Sequence, residues 1–171
     1  NFLDTAQSYG SAESILGEYD IKKNNFKITS KLVLKQDLLE REDINEYLNY
    51  QFDKSLSNLR SNRIDTLLIH NSSCLSHHCR SKLIYWFQSL KEANKVNRVG
   101  VSIYESSELN YIPLDIFEVI QLPLSLYDQR FLKEGILQQL YEENISIHVR
   151  SIFLQGLILQ NPAEWPDFLS P

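Results

Sequence analysis

Short apolar runs alternate along this chain with longer stretches in which apolar positions recur every third or fourth residue. The runs begin with Phe2-Leu3 and continue with Phe26 to Thr29, Ile64 to Ile69, Val99 to Val101, Phe117 to Ile120 and Ile145 to Val149. Between them, helical spacing predicts a helix after Tyr9-Gly10, with Ile15, Leu16 and Tyr19 on one face. A longer helix is predicted from Glu42-Asp43, where Ile44, Tyr47, Leu48, Phe52, Leu56 and Leu59 keep the spacing and acidic residues suit the first turn. A third should carry Leu83, Ile84, Phe87 and Leu90, and a fourth should run from about Gly135 to Glu143. Ser106-Ser107-Glu108 can cap a brief helix between the last two. Strand-like runs that alternate with amphipathic stretches argue for βα units and a parallel sheet.

Six strands are predicted, with C-terminal ends at Asp4, Lys31, His70, Ser102, Gln121 and Arg150. Their spacing of about twenty to about forty residues suits the repeating units of a (β/α)8 barrel, here incomplete. An open doubly wound sheet is the rival, but no Gly-x-Gly-x-x-Gly turn follows any strand, so the usual dinucleotide fingerprint is absent. No linker or low-complexity tract interrupts the 171 residues, which read as one partial domain over 1–171. The composition, 43% hydrophobic and 23% charged, is that of a globular protein. A net charge of −5 and the lack of a basic stripe argue against a nucleic-acid partner. Apolar runs of strand length argue against a membrane one. Cys74 and Cys79 are too few for a disulfide framework, and a cytoplasmic location is expected. The chain has no methionine, and its first residue already lies in an apolar run, so it reads as an internal piece of a longer protein.

The strand ends bring together an acid, a phenol, an amine and an imidazole: Asp4, Tyr9, Lys31 and His70. In a parallel barrel such ends converge on one mouth, where chemistry is done. A phenol with a pKa of about 10 is a poor proton donor at neutral pH, and a neighbouring ammonium favours its phenolate. Lys31 can supply the ammonium, Asp4 can hold it charged and oriented, and His70 can hydrogen-bond a substrate carbonyl oxygen. That set suits proton delivery to an oxygen that becomes an alkoxide, and the hydride would have to come from a nicotinamide cofactor. Singly, each residue has a plainer reading. Asp4 could be a cap, Tyr9-Gly10 an ordinary turn, Lys31 a solvated strand end and His70 a structural histidine. The cluster from Cys74 through His77 and His78 to Cys79 departs from zinc spacings and reads as a polar loop, so no metal is expected. Trp86 reads as packing. Tyr104 and Tyr127 follow strand ends and could line the mouth, although ordinary burial suits them too. Asp128-Gln129-Arg130 reads as a loop and helix start.

The stretch from Asp4-Thr5-Ala6 through Tyr9-Gly10 to Glu13 resembles the signatures of the aldo-keto reductases. So do Ser30-Lys31, Leu68 to Asn71, Val99 to Ser102, Gln121-Leu122-Pro123 and Arg150 to Gly156. The resemblance implies a (β/α)8 barrel whose first and last strands lie outside this chain. It implies reduction of an aldehyde or ketone, sugars among the candidates, with Tyr9 as general acid/base, Lys31 and Asp4 as its tuning pair and His70 as the orienting residue. It implies NADPH as cofactor, NADH being the alternative, with Ser102 and Gln121 on the nicotinamide carboxamide. Arg150 stands where many members stack an aromatic on the ring, with Ser151 beside it. Ile103 departs from the family's usual asparagine, and the site for the 2′-phosphate is expected to be missing. The partner is a small carbonyl compound, the oligomeric state is left open, and the 171-residue piece alone is expected to be inactive. Two other readings stand beside it, a Schiff-base aldolase acting through Lys31 and a non-catalytic binding protein that retains the pocket.

Overall fold

Each predicted strand is present. A computed structural model describes residues 1–19, 25–35, 43–76, 78, 80–161 and 165. In it β1 (Phe2–Asp4), β2 (Lys27–Leu32), β3 (Ile64–Ile69), β4 (Val96–Ser102), β5 (Val119–Pro123) and β6 (Ser146–Arg150) lie side by side in chain order, every pair parallel. Among the described residues, helices α1 (Ala12–Glu18), α2 (Ile44–Asn58), α3 (Arg80–Glu92), α4 (Arg130–Lys133) and α5 (Ile136–Glu142) lie between them in sequence. Parallel neighbours joined by helical crossovers are the βα arrangement that the hydrophobic pattern predicts.

The sheet curls into a half-barrel, and one hydrogen bond measures the curl. Gln121 Nε2 on β5 donates to Asp4 Oδ1 on β1 at 3.0 Å. In a flat sheet four interstrand spacings, about 19 Å, would separate those strands. The outer face of the curl meets the helices in one apolar core. Leu67, Ile69, Val99, Val101, Ile120 and Leu122 pack there against side chains such as Leu48, Phe52, Phe87 and Phe117. Trp86, a packing residue as read from the sequence, meets Phe52 and Phe87 edge-on and donates its ring N–H to Asn49 Oδ1 at 2.8 Å. The alternate strand positions face the interior of the curl and are largely polar: Thr29, Lys31, Thr66, Arg98, Ser102, Gln121 and His148. Gly100 stands among them because a Cβ there would meet Val119 O at 2.1 Å and Leu68 Cδ2 at 2.7 Å.

Several local expectations differ from what is found. Ile15 and Tyr19 are 60% and 71% exposed, and the buried face of α1 is Glu13 and Gly17 instead. The reason is close approach. A Cβ on Gly17 would lie 2.1 Å from Asn58 O, so the end of α2 sits directly on α1 there, and of the three expected apolar residues only Leu16 packs against the core, partly buried. The brief helix after β4 spans Ser106–Tyr111 as a 3-10 segment, and its cap is Glu105, in a reciprocal capping box with Glu108. The segment after His70 is not wholly polar. A 3-10 turn over Ser72–Ser76 buries Cys74 and Leu75. His77 and Cys79 lie outside the described residues, as does Glu42; Asp43 stands at the N-cap position of α2. Gly135, at φ 74°, caps α5 in a left-handed conformation that favours glycine. Among the described residues β1 and β6 each pair along one side only, and no helix is long and apolar enough to cross a membrane.

Candidate active site

The parallel register carries the strand ends to one rim. Asp4 closes β1, Lys31 is the penultimate residue of β2, His70 follows β3, Ser102 closes β4 and Arg150 closes β6. The turn after β1 returns Tyr9 to the same rim. Tyr9 N–H donates to Ala6 O at 3.0 Å, and Ala12 N–H donates to Tyr9 O at 3.1 Å.

Lys31 is the centre of the arrangement. Its side chain is fully buried, and its ammonium donates to Asp4 Oδ2 at 2.7 Å and to Thr5 O at 2.8 Å. The same nitrogen lies 4.9 Å from the centroid of the Tyr9 ring. Asp4 therefore accepts from Lys31 on one oxygen and from Gln121 on the other. Tyr9 and His70 meet edge to face, with ring centroids 6.1 Å apart and planes at 87°. The structure thus gathers Asp4, Tyr9, Lys31 and His70, the four residues singled out from the sequence, and adds Gln121 to them. Burial holds the His70 imidazole below the ordinary histidine value. The nearby Lys31 and Arg150 cations push the same way, and Asp4 opposes them. Its neutral form, with one N–H to donate, is favoured.

The supports of this set were not identified from the sequence, although three of them lie inside the quoted motif. Gln7 Nε2 donates to Gln51 O at 2.7 Å and to Ser55 Oγ at 3.0 Å, while its oxygen accepts from Val33 N–H at 3.3 Å. Glu13, 2% exposed, accepts from Ser30 Oγ at 2.6 Å and from Asn58 Nδ2 at 3.1 Å. Ser8 Oγ lies 3.2 Å from His70 Nδ1. Residue order alone pointed to these positions; only their contacts across tens of residues show what they hold.

The residues assigned to a cofactor are distributed differently. Ser102 and Gln121 are directly paired across β4 and β5, and both are buried. Gln121 Oε1 is a buried acceptor with no hydrogen-bond partner. Arg150 turns toward the loop after β4. Its guanidinium stacks 4.0 Å from the Tyr104 ring centroid and donates to Ile103 O at 3.1 Å, and its Nε has no partner. Ser151 is exposed at φ 61°, its hydroxyl 3.5 Å from Arg150 Nη1. Ile103 is fully buried and offers only that carbonyl. Tyr104 and Tyr127 are 50% and 63% exposed, so neither is the buried ring that ordinary packing would make it. A cavity of ≈ 740 Å³ opens inside the curl, lined in part by Asp4, Arg98, Gln121, His148 and Arg150. A second, of ≈ 640 Å³, is lined by Gly17, Lys27, Arg60 and Arg63 and touches none of the four. Among the described residues no group of histidine, cysteine or carboxylate side chains is placed to hold a metal ion.

The profile of the Aldo/keto reductase family matches residues 1–168. No curated protein matches the chain. Among solved structures, an aldo/keto reductase from Klebsiella pneumoniae in complex with NADP and acetate is similar at a TM-score of 0.75 and 17% identity, over 94% of this chain and 56% of that one. The holo form of an aldo-keto reductase from Bacillus halodurans is similar at a TM-score of 0.74 and 22% identity, over 98% of this chain and 57% of that one. A glycerol dehydrogenase from Gluconobacter oxydans is similar at a TM-score of 0.73 and 22% identity, over 98% and 55%. At these identities the likeness speaks for the (β/α)8 fold. The chain spans little more than half the length of each of these three structures.

Proposed function

This chain belongs to the aldo/keto reductase family, and from that premise we propose that it carries the proton-handling part of an NADPH-dependent reductase of aldehydes or ketones. One observation carries the reading: Lys31 lies 4.9 Å from the Tyr9 ring and 2.7 Å from Asp4, all three at one rim. In the proposed step Tyr9 gives its phenolic proton to the carbonyl oxygen as that oxygen gains negative charge. Lys31 stabilises the phenolate left behind, and Asp4 keeps the ammonium in place. His70 donates a hydrogen bond to the same oxygen and sets its angle toward Tyr9.

The residues present fit a nicotinamide cofactor. The unpartnered Gln121 Oε1 is an acceptor of the kind a carboxamide N–H₂ needs, and Ser102 sits beside it in register. Arg150 and Ser151 would flank the ring from β6, with the guanidinium plane exchanging Tyr104 for the cofactor. Ile103 can add no side-chain hydrogen bond. When bound, the cofactor supplies the hydride. NADPH is favoured over NADH on family grounds, and a sugar or polyol-derived carbonyl is among the substrates, given the Gluconobacter glycerol dehydrogenase. The Schiff-base reading is disfavoured by Lys31 itself, whose nitrogen is buried and committed to Asp4 and Thr5 O.

The test is Tyr9→Phe in the full protein. Turnover should fall by about a hundredfold or more while cofactor binding, read by NADPH fluorescence, is kept. Full turnover in Tyr9→Phe, or a borohydride-trapped adduct on Lys31, overturns the proposal. The 171-residue polypeptide by itself should bind NADPH weakly and reduce little, since among the described residues β1 and β6 each pair along one side only. Saturable NADPH-dependent turnover by that polypeptide would refute this part.

A further inference from the structure

Ser8 is the residue immediately before Tyr9, and among the described residues its hydroxyl meets one side chain, His70, with Nδ1 at 3.2 Å. His70 is held at its other end by its backbone, whose N–H donates to Leu32 O at 3.0 Å. The ring is therefore tethered on one side, and Tyr9 crosses it edge to face. A neutral imidazole has one N–H and one bare nitrogen, and only one of its two tautomers can serve a given geometry. A substrate carbonyl oxygen accepts and cannot donate. If Nδ1 is taken up by Ser8, the nitrogen left to face the substrate is Nε2, and it must carry the proton. A serine hydroxyl rotates freely and can donate to a bare nitrogen. The ring is held neutral by burial and by the Lys31 and Arg150 cations, so the choice between tautomers is a real one.

We propose that Ser8 is a positioning residue that donates its hydroxyl proton to His70 Nδ1 and so fixes the Nε2–H tautomer that faces the carbonyl. The inference rests on the reading of His70 as the carbonyl-orienting group. It makes one short turn responsible for two functions, because Ser8 and Tyr9 are adjacent. Displacing the turn would then move the proton donor and release the imidazole together.

The experiment uses histidine labelled with ¹⁵N and long-range proton–nitrogen correlation near neutral pH, with the His70 signals assigned through His70→Gln. Wild-type His70 should show a protonated Nε2 and a bare Nδ1. Ser8→Ala should bring in the other tautomer, and Ser8→Thr should restore the first. If Ser8→Ala does not fold, Ser8→Thr against the isosteric Ser8→Val makes the same comparison. A wild-type ring protonated on Nδ1, or a tautomer that is unchanged when the hydroxyl is removed, overturns the proposal. In the full protein, Ser8→Ala should lower kcat/KM by about two- to tenfold, the range expected for one neutral hydrogen bond. The two readings fail separately. Absent turnover in every form, with the tautomer pattern as described, sinks the reductase reading and leaves the Ser8–His70 coupling. Normal turnover with the wrong tautomer sinks the coupling alone.

Discussion

Lys31 and Asp4 form an ion pair of 2.7 Å whose two ends live in different surroundings, the lysine side chain 1% exposed and the aspartate 45%. The consequence is asymmetric. Asp4→Ala strands a buried ammonium with only Thr5 O, and should cost about 2–3 kcal/mol, toward the low end for a broken buried pair because Asp4 is partly solvated. Lys31→Met fills the same space with apolar atoms and leaves a carboxylate that water and Gln121 can serve, so its cost should be about 1 kcal/mol or less. Urea unfolding midpoints would order the two variants, and the reverse order would contradict the account.

Acid should destabilise the fold through two half-buried imidazoles, His70 and His148. Burial and neighbouring cations hold His70 below the ordinary value of 6.5, and burial with Arg98 does the same for His148, with Asp4 and Asp65 opposing. The unfolded chain therefore binds more protons than the native one just below that value. Stability is full above about pH 6.5 and declines as the pH falls toward the lowered native values, where the loss levels off. Unfolding midpoints measured at falling pH should show the decline, and His148→Phe should flatten part of it. A midpoint that rises on acidification through this window is the opposing result.

Gly100→Ala should be among the most damaging small substitutions. The new methyl would meet Val119 O and the Leu68 side chain well inside contact distance, between three neighbouring strands. Backbone cannot yield as a side-chain tip can, so a loss of about 2–3 kcal/mol is expected. Because Ser102 and Gln121 are in register just beyond the clash, NADPH affinity should fall with stability. Calorimetric melting alongside cofactor titration would check both.

Glu13→Ala should loosen the Tyr9 turn without touching the rim. It removes a buried carboxylate that ties Ser30 on β2 and Asn58 at the end of α2 to α1, at a cost of about 2–4 kcal/mol. Since Ser30 precedes Lys31, kcat should fall more than KM rises. A Glu13→Ala protein with wild-type melting and kinetics would remove Glu13 from the architecture of the site.

What was legible and what was not divides along physical lines. The strands are legible because the positions that pack against the helices must be apolar, and Asp4, Lys31 and His70 stand out at the ends of those runs. The α1 face is legible only in part: Leu16 packs against the core as its spacing predicts, whereas Ile15 and Tyr19 fit the spacing but stay exposed, and the close approach of α2 is set by the missing Cβ of Gly17. Ser8, Gln7 and Glu13 were visible as letters in a motif, but their roles depend on partners at His70, Ser55 and Asn58. Arg150 pairing with Tyr104 was likewise hidden, since nothing local to either residue announces a partner 46 positions away.

The Gln121 to Asp4 hydrogen bond spans 117 residues, and this makes the closed rim a late product of folding. Each strand can pair with its neighbour as it becomes available, yet no neighbouring pair brings β5 back to β1. The entropy of closing that long loop must be met before the contact gives anything in return. An intermediate with native helices and native strand pairs can therefore hold Asp4, Tyr9 and Lys31 together while Gln121 is still away from Asp4. Gln121 then reports on the closure of the whole sheet, and partial denaturation should free it from Asp4 before the helical circular dichroism signal is lost.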